Sequence, residues 1–309
     1  MPATALPSTG LPADGWLPCS DRSLERNDPL AGTGGFGERW FLIEVDGSWG
    51  THALLQSKLD ARVARPLVKK IEAAGMRPLA IRRIGRRADE RRAQTLWRWA
   101  IVDARPGRES VHWGSVTDPA GLLDVPLDGS TGVPSDEPII CVCTHARHDQ
   151  CCAVKGRPVA NALQQAYPEH TWECSHLGGD RFAATMIVFP EGLYYGRVPA
   201  SEAAELVAAR ADGRVDDRYF RGRSSLPTIA QAAEHHARVA FSDDRIDAFS
   251  LLGLADNGGS WTVNLQHGED VVSVDLMEEL SVPLLSTCGA TTALPVRQYV
   301  LETVTSRPL

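Results

Sequence analysis

The chain has 309 residues, of which 43% are hydrophobic and 23% charged, the make-up of an ordinary globular protein. Its net charge of -7 and pI near 5.7 argue against a general binder of nucleic acid or anionic membrane. No apolar run approaches the ~20 residues that span a bilayer, and the opening MPATALPSTGLPADGW lacks the basic and apolar segments of a secretory signal. A cytoplasmic protein with no nucleic-acid and no membrane partner is the expectation.

A single core stops growing near roughly 250–300 residues, so several folding units are expected. Residues 1–18 read as a flexible N-terminal tail and 19–117 as an N-terminal αβ domain. Within it WFLIEV (40–45) is a strand, ended by the turn DGSWG. Leu59, Val63, Leu67 and Ile71 then recur every fourth position, one stripe of a helix that ends at Gly75. PLAIRRIG (78–85) and TLWRWAIVDA (95–104) are strands. The charged run between them predicts a solvated hairpin tip, with Arg82, Arg83 and Arg86 as candidates for an anion contact. GTGGFG (32–37) has the glycines of a phosphate loop, but it precedes a strand instead of following one, which excludes that use. Residues 118–137, rich in Pro, Gly, Ser and Asp, read as a linker.

Residues 138–213 hold the dense chemistry. PIICVC (138–143) is a strand, GRPVANALQQAYP (156–168) a helix and HTWECS (170–175) a second strand. RFAATMIVF (181–189) and LYYGRV (193–198) form a hairpin, and a helix over 201–213, capped by Ser201, closes the unit. This order, β-α-β then β-β-α, is the core order of the thioredoxin fold. Its right-handed crossover makes the first two strands parallel, so their carboxyl ends share one sheet edge. Loops 143–152 and 174–180 therefore meet, bringing Cys143, Cys151 and Cys152 toward Cys174, His176 and Asp180. Residues 214–309 read as a small C-terminal αβ region. It has a helix over 227–241, a hairpin of WTVNL and VVSVDL around QHGED, and a final strand or short helix in PVRQYVLETV. The fold class is thus α/β with mixed sheets.

Five of the seven cysteines lie within 141–174, while Cys19 and Cys288 are far away along the chain. Such clustering in a long chain points to a metal or to catalysis rather than a disulfide scaffold. Thiolates with imidazole suit zinc, copper(I) or iron–sulfur clusters. There is no C-x-x-C pair: Cys141 and Cys143 are C-x-C, and Cys151 and Cys152 are adjacent, so one of that pair is a bystander. Cys141, inside the apolar strand, reads as packing, and His145 and His148 as loop histidines near the ligands. Residues two apart in an extended segment share a face, so Cys174 and His176 can point at one centre.

CTHARHDQCCAVKG (143–156), WECSHLGGDRFAA (172–184) and LYYGRV (193–198) together resemble the sucrase/ferredoxin-like family, over roughly residues 19–200. That family groups thioredoxin-like [2Fe–2S] ferredoxins with fungal and actinobacterial relatives. In the fungal relatives one cysteine from each end of the first motif and two histidines of H-x-G-G-H hold the cluster, which implicates Cys143, Cys152 and His176. The second histidine is Asp180 here. The expected ligand set is Cys143, Cys152, Cys174 and His176, with Asp180 as the alternate fourth ligand, and with His145, Cys151 and Asp180 as supporting groups around them. The implied role is one-electron transfer, proton-coupled through the histidine, with an unidentified reductase or acceptor protein as partner. No pair of positioned carboxylates supports the "sucrase" half of the label. Two readings stay open beside this one: a zinc protein using the same residues, and a thiol-dependent oxidoreductase with Cys151 and Cys152 at a helix N-terminus.

Overall fold

The computed structural model describes residues 17–86 and 94–309. Most of the expected N-terminal tail and the tip of the charged hairpin lie outside the described residues. Helix α1 (Cys19–Glu25), which the sequence reading missed, leads into strand β1 (Arg39–Glu44), helix α2 (Ala61–Ala73) and strands β2 (Arg77–Arg82), β3 (Trp97–Asp103), β4 (Ser110–Val116) and β5 (Val133–Ser135). A second run follows: β6 (Ile139–Cys143), α3 (Gln150–Ala166), β7 (Thr171–Cys174), β8 (Met186–Phe189), β9 (Leu193–Tyr195), α4 (Ala203–Ala211) and β10 (Phe220–Arg223). Helix α5 (Thr228–Phe241) and strands β11 (Ser250–Asp256), β12 (Ser260–His267), β13 (Asp270–Leu280) and β14 (Arg297–Pro308) complete the chain.

Strands β1 to β10 build one sheet in the order β10-β9-β8-β6-β7-β2-β1-β3-β4-β5. In each αβ unit the two strands flanking the helix are parallel, β1 with β2 and β6 with β7, as a helical crossover requires. The units meet where β2 runs antiparallel to β7, through Ile81 opposite Cys174 and Arg82 opposite Glu173. Arg82 Nε donates to Glu173 Oε2 at 2.7 Å in this seam, with both side chains nearly dry. The seam joins the two units into one sheet. The segment 118–137, expected as a linker, instead carries a short 3-10 turn at Pro119–Leu123, with Leu122 buried, and the edge strand β5.

One face of the sheet is a continuous core running through both units, from Trp40, Leu42, Leu79 and Ile81 to Ile139, Cys141, Cys143, Trp172 and Cys174. The GTGGFG loop belongs to the packing of this body. Gly34 N–H donates to Gln231 Oε1 at 2.9 Å and Gly37 N–H to Ser224 O at 2.7 Å, while a Cβ at Gly35 would crowd Arg77, Tyr194 and Leu177. On the opposite face α2 covers the first unit through Ala64, Leu67 and Ile71, and α3 covers the second through Val159, Ala160 and Leu163. Arg82 and Arg83, candidates for an anion contact, are engaged internally: Arg82 stacks on Trp49 and Arg83 on Trp172, with the Arg83 guanidinium donating to Glu169 O at 2.8 Å.

Several boundaries are corrected. Helix α3 starts at Gln150, not 156, because the Asp149 side chain accepts from Cys151 N–H at 2.8 Å and caps it. Ser201 does not cap α4, whose cap position is Glu202. The strand expected over 181–189 is shortened to β8, because Asp180–Phe182 form a 3-10 turn. The chain end is the long strand β14, in an antiparallel sheet ordered β11-β12-β13-β14 whose apolar side packs on α5. Among the described residues no helix is long and apolar enough to cross a membrane.

Candidate metal centre

The site grows from the end of β6. Its run IICVC is buried along its whole length, as a central strand covered on both faces requires, and Cys143 is its last residue. Helix α3 then returns across it at very close range: a Cβ on Gly156 would stand 2.1 Å from the Cys143 carbonyl oxygen. Only glycine permits that approach, and it seats Cys152, in the first turn of α3, beside Cys143.

The other half of the site comes from the loop after β7. Gly178 and Gly179 have φ values of +93° and +79°, which L side chains rarely adopt. The loop bends around the buried Arg221 guanidinium, which donates to Gly178 O at 3.0 Å and to Thr33 Oγ1 at 3.0 Å. A Cβ at Gly179 would collide with that guanidinium. The bend carries His176 and Asp180 back over the ends of β6 and α3.

Donor atoms of Cys143, Cys152 and His176 converge within 4.8 Å of one another, as do those of His148, His176 and Asp180. Cys152 Sγ donates to Asp180 Oδ1 at 3.0 Å. His176 Nδ1 also lies 3.0 Å from Asp180 Oδ1, but it is buried and makes no aligned hydrogen bond. A buried imidazole nitrogen set against a carboxylate and two thiols fits a soft metal centre.

The electrostatics agree. The Cys143 thiol is pulled well below its ordinary range by the Cys152 thiol beside it and by His176, against the cost of burial. Cys152 is pushed upward by its Cys143 neighbour, by burial and by Asp180. Burial presses His176 toward neutrality, but Asp180 and Cys143 prevail and raise it to about 9. Burial likewise raises Asp180, and His176 reverses this, holding it below its ordinary value. Cys143 and Asp180 are thus held in their anionic forms, while His176 and Cys152 keep their protons in the metal-free site.

The residues singled out by sequence fall into three groups. Cys143, Cys152, His176 and Asp180 come together. Cys174 stays out of the convergence: fully buried on β7, its thiol is pushed well up by burial and by the neighbouring Cys141. His145 is also turned away, its Nε2 lying 2.6 Å from Gly50 O in the first unit. His148 lies stacked on His176 with ring centroids 3.6 Å apart. Both rings open onto a surface hollow of about 270 Å³ lined also by Thr51, Leu55, Val68 and Pro78. Cys151 is no bystander, for it faces Cys19 and Cys288. The sequence reading missed Asp149 and Arg221. Asp149 had a signal, its place one residue before a helical run; Arg221 had none.

The match to the family model for the sucrase/ferredoxin-like proteins spans residues 30–222, and the chain belongs to that family. Among solved structures it is similar to the thioredoxin-like [2Fe–2S] ferredoxin from Aquifex aeolicus, at 21% identity, covering 30% of this chain and 97% of that one with a TM-score of 0.26. A cysteine-to-serine variant of that ferredoxin aligns at 22% identity over 27% of this chain and 97% of that one, with a TM-score of 0.24. No curated protein matches the chain.

Proposed function

We propose that this protein is a one-electron carrier whose [2Fe–2S] cluster is held by Cys143, Cys152, His176 and Asp180. The observation that carries the reading is the convergence of the Cys143 and Cys152 thiols with the His176 imidazole at one sheet edge, with the buried Asp180 carboxylate 3.0 Å from both Cys152 Sγ and His176 Nδ1. Asp180 replaces Cys174 in the expected set because its oxygen stands among the donors, whereas the Cys174 thiol lies against Cys141. When bound, the cluster supplies a one-electron redox couple.

The protein's own contribution is selective exposure. Nδ1 of His176 is buried against Asp180, so the partly exposed portion of the ring is its opposite edge, beside His148 and the hollow. That edge is the natural approach for a redox partner protein. Imidazole in place of a thiolate makes the centre less negative, while the Asp180 carboxylate keeps a charge that a second histidine would remove. The expected potential therefore lies between those of all-cysteine and bis-histidine centres.

Protein purified under anaerobic conditions should be red-brown and contain two irons and two sulfides per chain, about the composition of one such cluster. It should give an S = 1/2 EPR signal on reduction. C174S should keep that spectrum and D180A should lose or shift it. A colourless protein holding zinc and no sulfide would overturn the reading in favour of a zinc site on the same residues.

A further inference from the structure

The remaining cysteines form a second group that the proposed electron carrier does not use. Cys19 opens α1, Cys151 lies in the first turn of α3, and Cys288 comes from the loop that joins β13 to β14. Their sulfurs form a triangle with edges of 3.6 Å (Cys19 to Cys151), 3.0 Å (Cys151 to Cys288) and 3.5 Å (Cys288 to Cys19). All three are free thiols, and Cys19 and Cys151 are almost wholly buried.

A carboxylate closes the group. Asp149 Oδ2 lies 3.8 Å from Cys19 Sγ, and its side chain is fixed at both ends. Oδ1 accepts from Cys151 N–H at 2.8 Å and Oδ2 from Cys288 N–H at 2.7 Å. The donor atoms of these four residues all lie within 4.8 Å of one another. A triangle of this size has a centre roughly 2 Å from each sulfur, so a point just off its plane meets the ~2.3 Å of a zinc–thiolate bond. Ser20 Oγ, 3.3 Å from Cys151 Sγ, is a donor able to support a metal-bound thiolate. Ordinary packing would place each cysteine against apolar neighbours, yet among the described residues Ala183 is the one other apolar side chain grouped with these cysteines.

We infer that Cys19, Cys151, Cys288 and Asp149 form a structural site for a single thiophilic divalent cation of the zinc class. The site is separate from the Cys143, Cys152, His176 and Asp180 group and does not depend on what that group binds. Its ligands come from segments 132 and 137 residues distant from Cys151. The ion therefore clamps α1 and the β13–β14 loop onto the first turn of α3.

The test is metal and sulfide analysis of the full chain, purified anaerobically from cells supplied with zinc and iron. Wild type should hold one zinc per chain that survives a mild chelator. C288S and C19S should lose it, or release it at least tenfold faster, with iron and sulfide unchanged. C152S should show the converse, losing iron and sulfide but keeping zinc. Equal zinc in wild type and C288S would overturn the inference, as would a zinc-free wild type in which peptide mapping finds Cys151 and Cys288 joined as a disulfide. Should C288S fail to fold, cobalt added to the zinc-stripped C143S/C152S chain, which lacks the thiols of the first group, decides: thiolate-to-cobalt charge-transfer absorption supports the site, and its absence refutes it.

Discussion

The two αβ units repeat one layout with opposite outcomes. Each is strand, helix, parallel strand and then two antiparallel strands, β1-α2-β2-β3-β4 and β6-α3-β7-β8-β9. Both helices are capped by an aspartate after the first strand, Asp60 and Asp149. In the first unit the cap is exposed and spends its carboxylate on Arg62. In the second it is buried and faces three cysteines. The first unit's helix contains no glycine and packs through Ala64, Leu67 and Ile71, whereas α3 needs Gly156 to press onto the end of β6. The same scaffold therefore gives a plain hydrophobic support on one side and a chemically loaded edge on the other. What differs is the closeness of helix to strand and the content of two loops.

Three experiments would break or sharpen that contrast. The largest effect is expected at the seam. Glu173→Ala leaves Arg82 charged and buried, and should cost about 3–5 kcal/mol, read from chemical denaturation. A loss below about 1 kcal/mol would mean that the units are not held together there. Next, Gly156→Ala should cost about 1–3 kcal/mol from overpacking against the Cys143 carbonyl, with lower iron retention in the same preparation. Full stability and full iron content would remove the close approach as the reason for glycine. The smallest effect separates the caps: Asp60→Ala should cost about 0.5–1 kcal/mol for its exposed cap, while Asp149→Ala, at a buried cap, should cost about 1–2 kcal/mol. Equal responses would show that burial of the second cap is of no consequence.

The sequence revealed the β6-α3-β7 order, and with it the meeting of loops 143–152 and 174–180, because an apolar strand and a right-handed crossover leave little freedom. It placed the start of α3 at Gly156, while the true start signal was the side chain of Asp149. Cys174 was chosen as a ligand by strand alternation, which holds only while the strand continues. Strand β7 ends at Cys174, and the chain turns through Gly178 and Gly179, so His176 is presented by a bend and not by a pleat. The meeting of Cys19, Cys151 and Cys288 leaves no local trace at all. It results from a hairpin whose tip folds back onto a distant helix, and no spacing along the chain encodes that.

The antiparallel junction of β2 and β7 has a consequence for solubility. A sheet edge is a row of unpaired amides that invites another chain to add to it. Each unit alone would offer such an edge, β2 in one case and β7 in the other. By pairing the two edges the chain leaves, among the described residues, β5 and β10 at the ends of its ten-stranded sheet, strands of three and four residues. Strand β10 is buried, with Arg221 O accepting from Gly32 N–H and Thr33 N–H. Strand β5 also has a proline at its centre, Pro134, which offers no amide hydrogen to an incoming strand. Through β2 the first unit thus covers the edge that the cysteine-rich unit would otherwise offer to another strand.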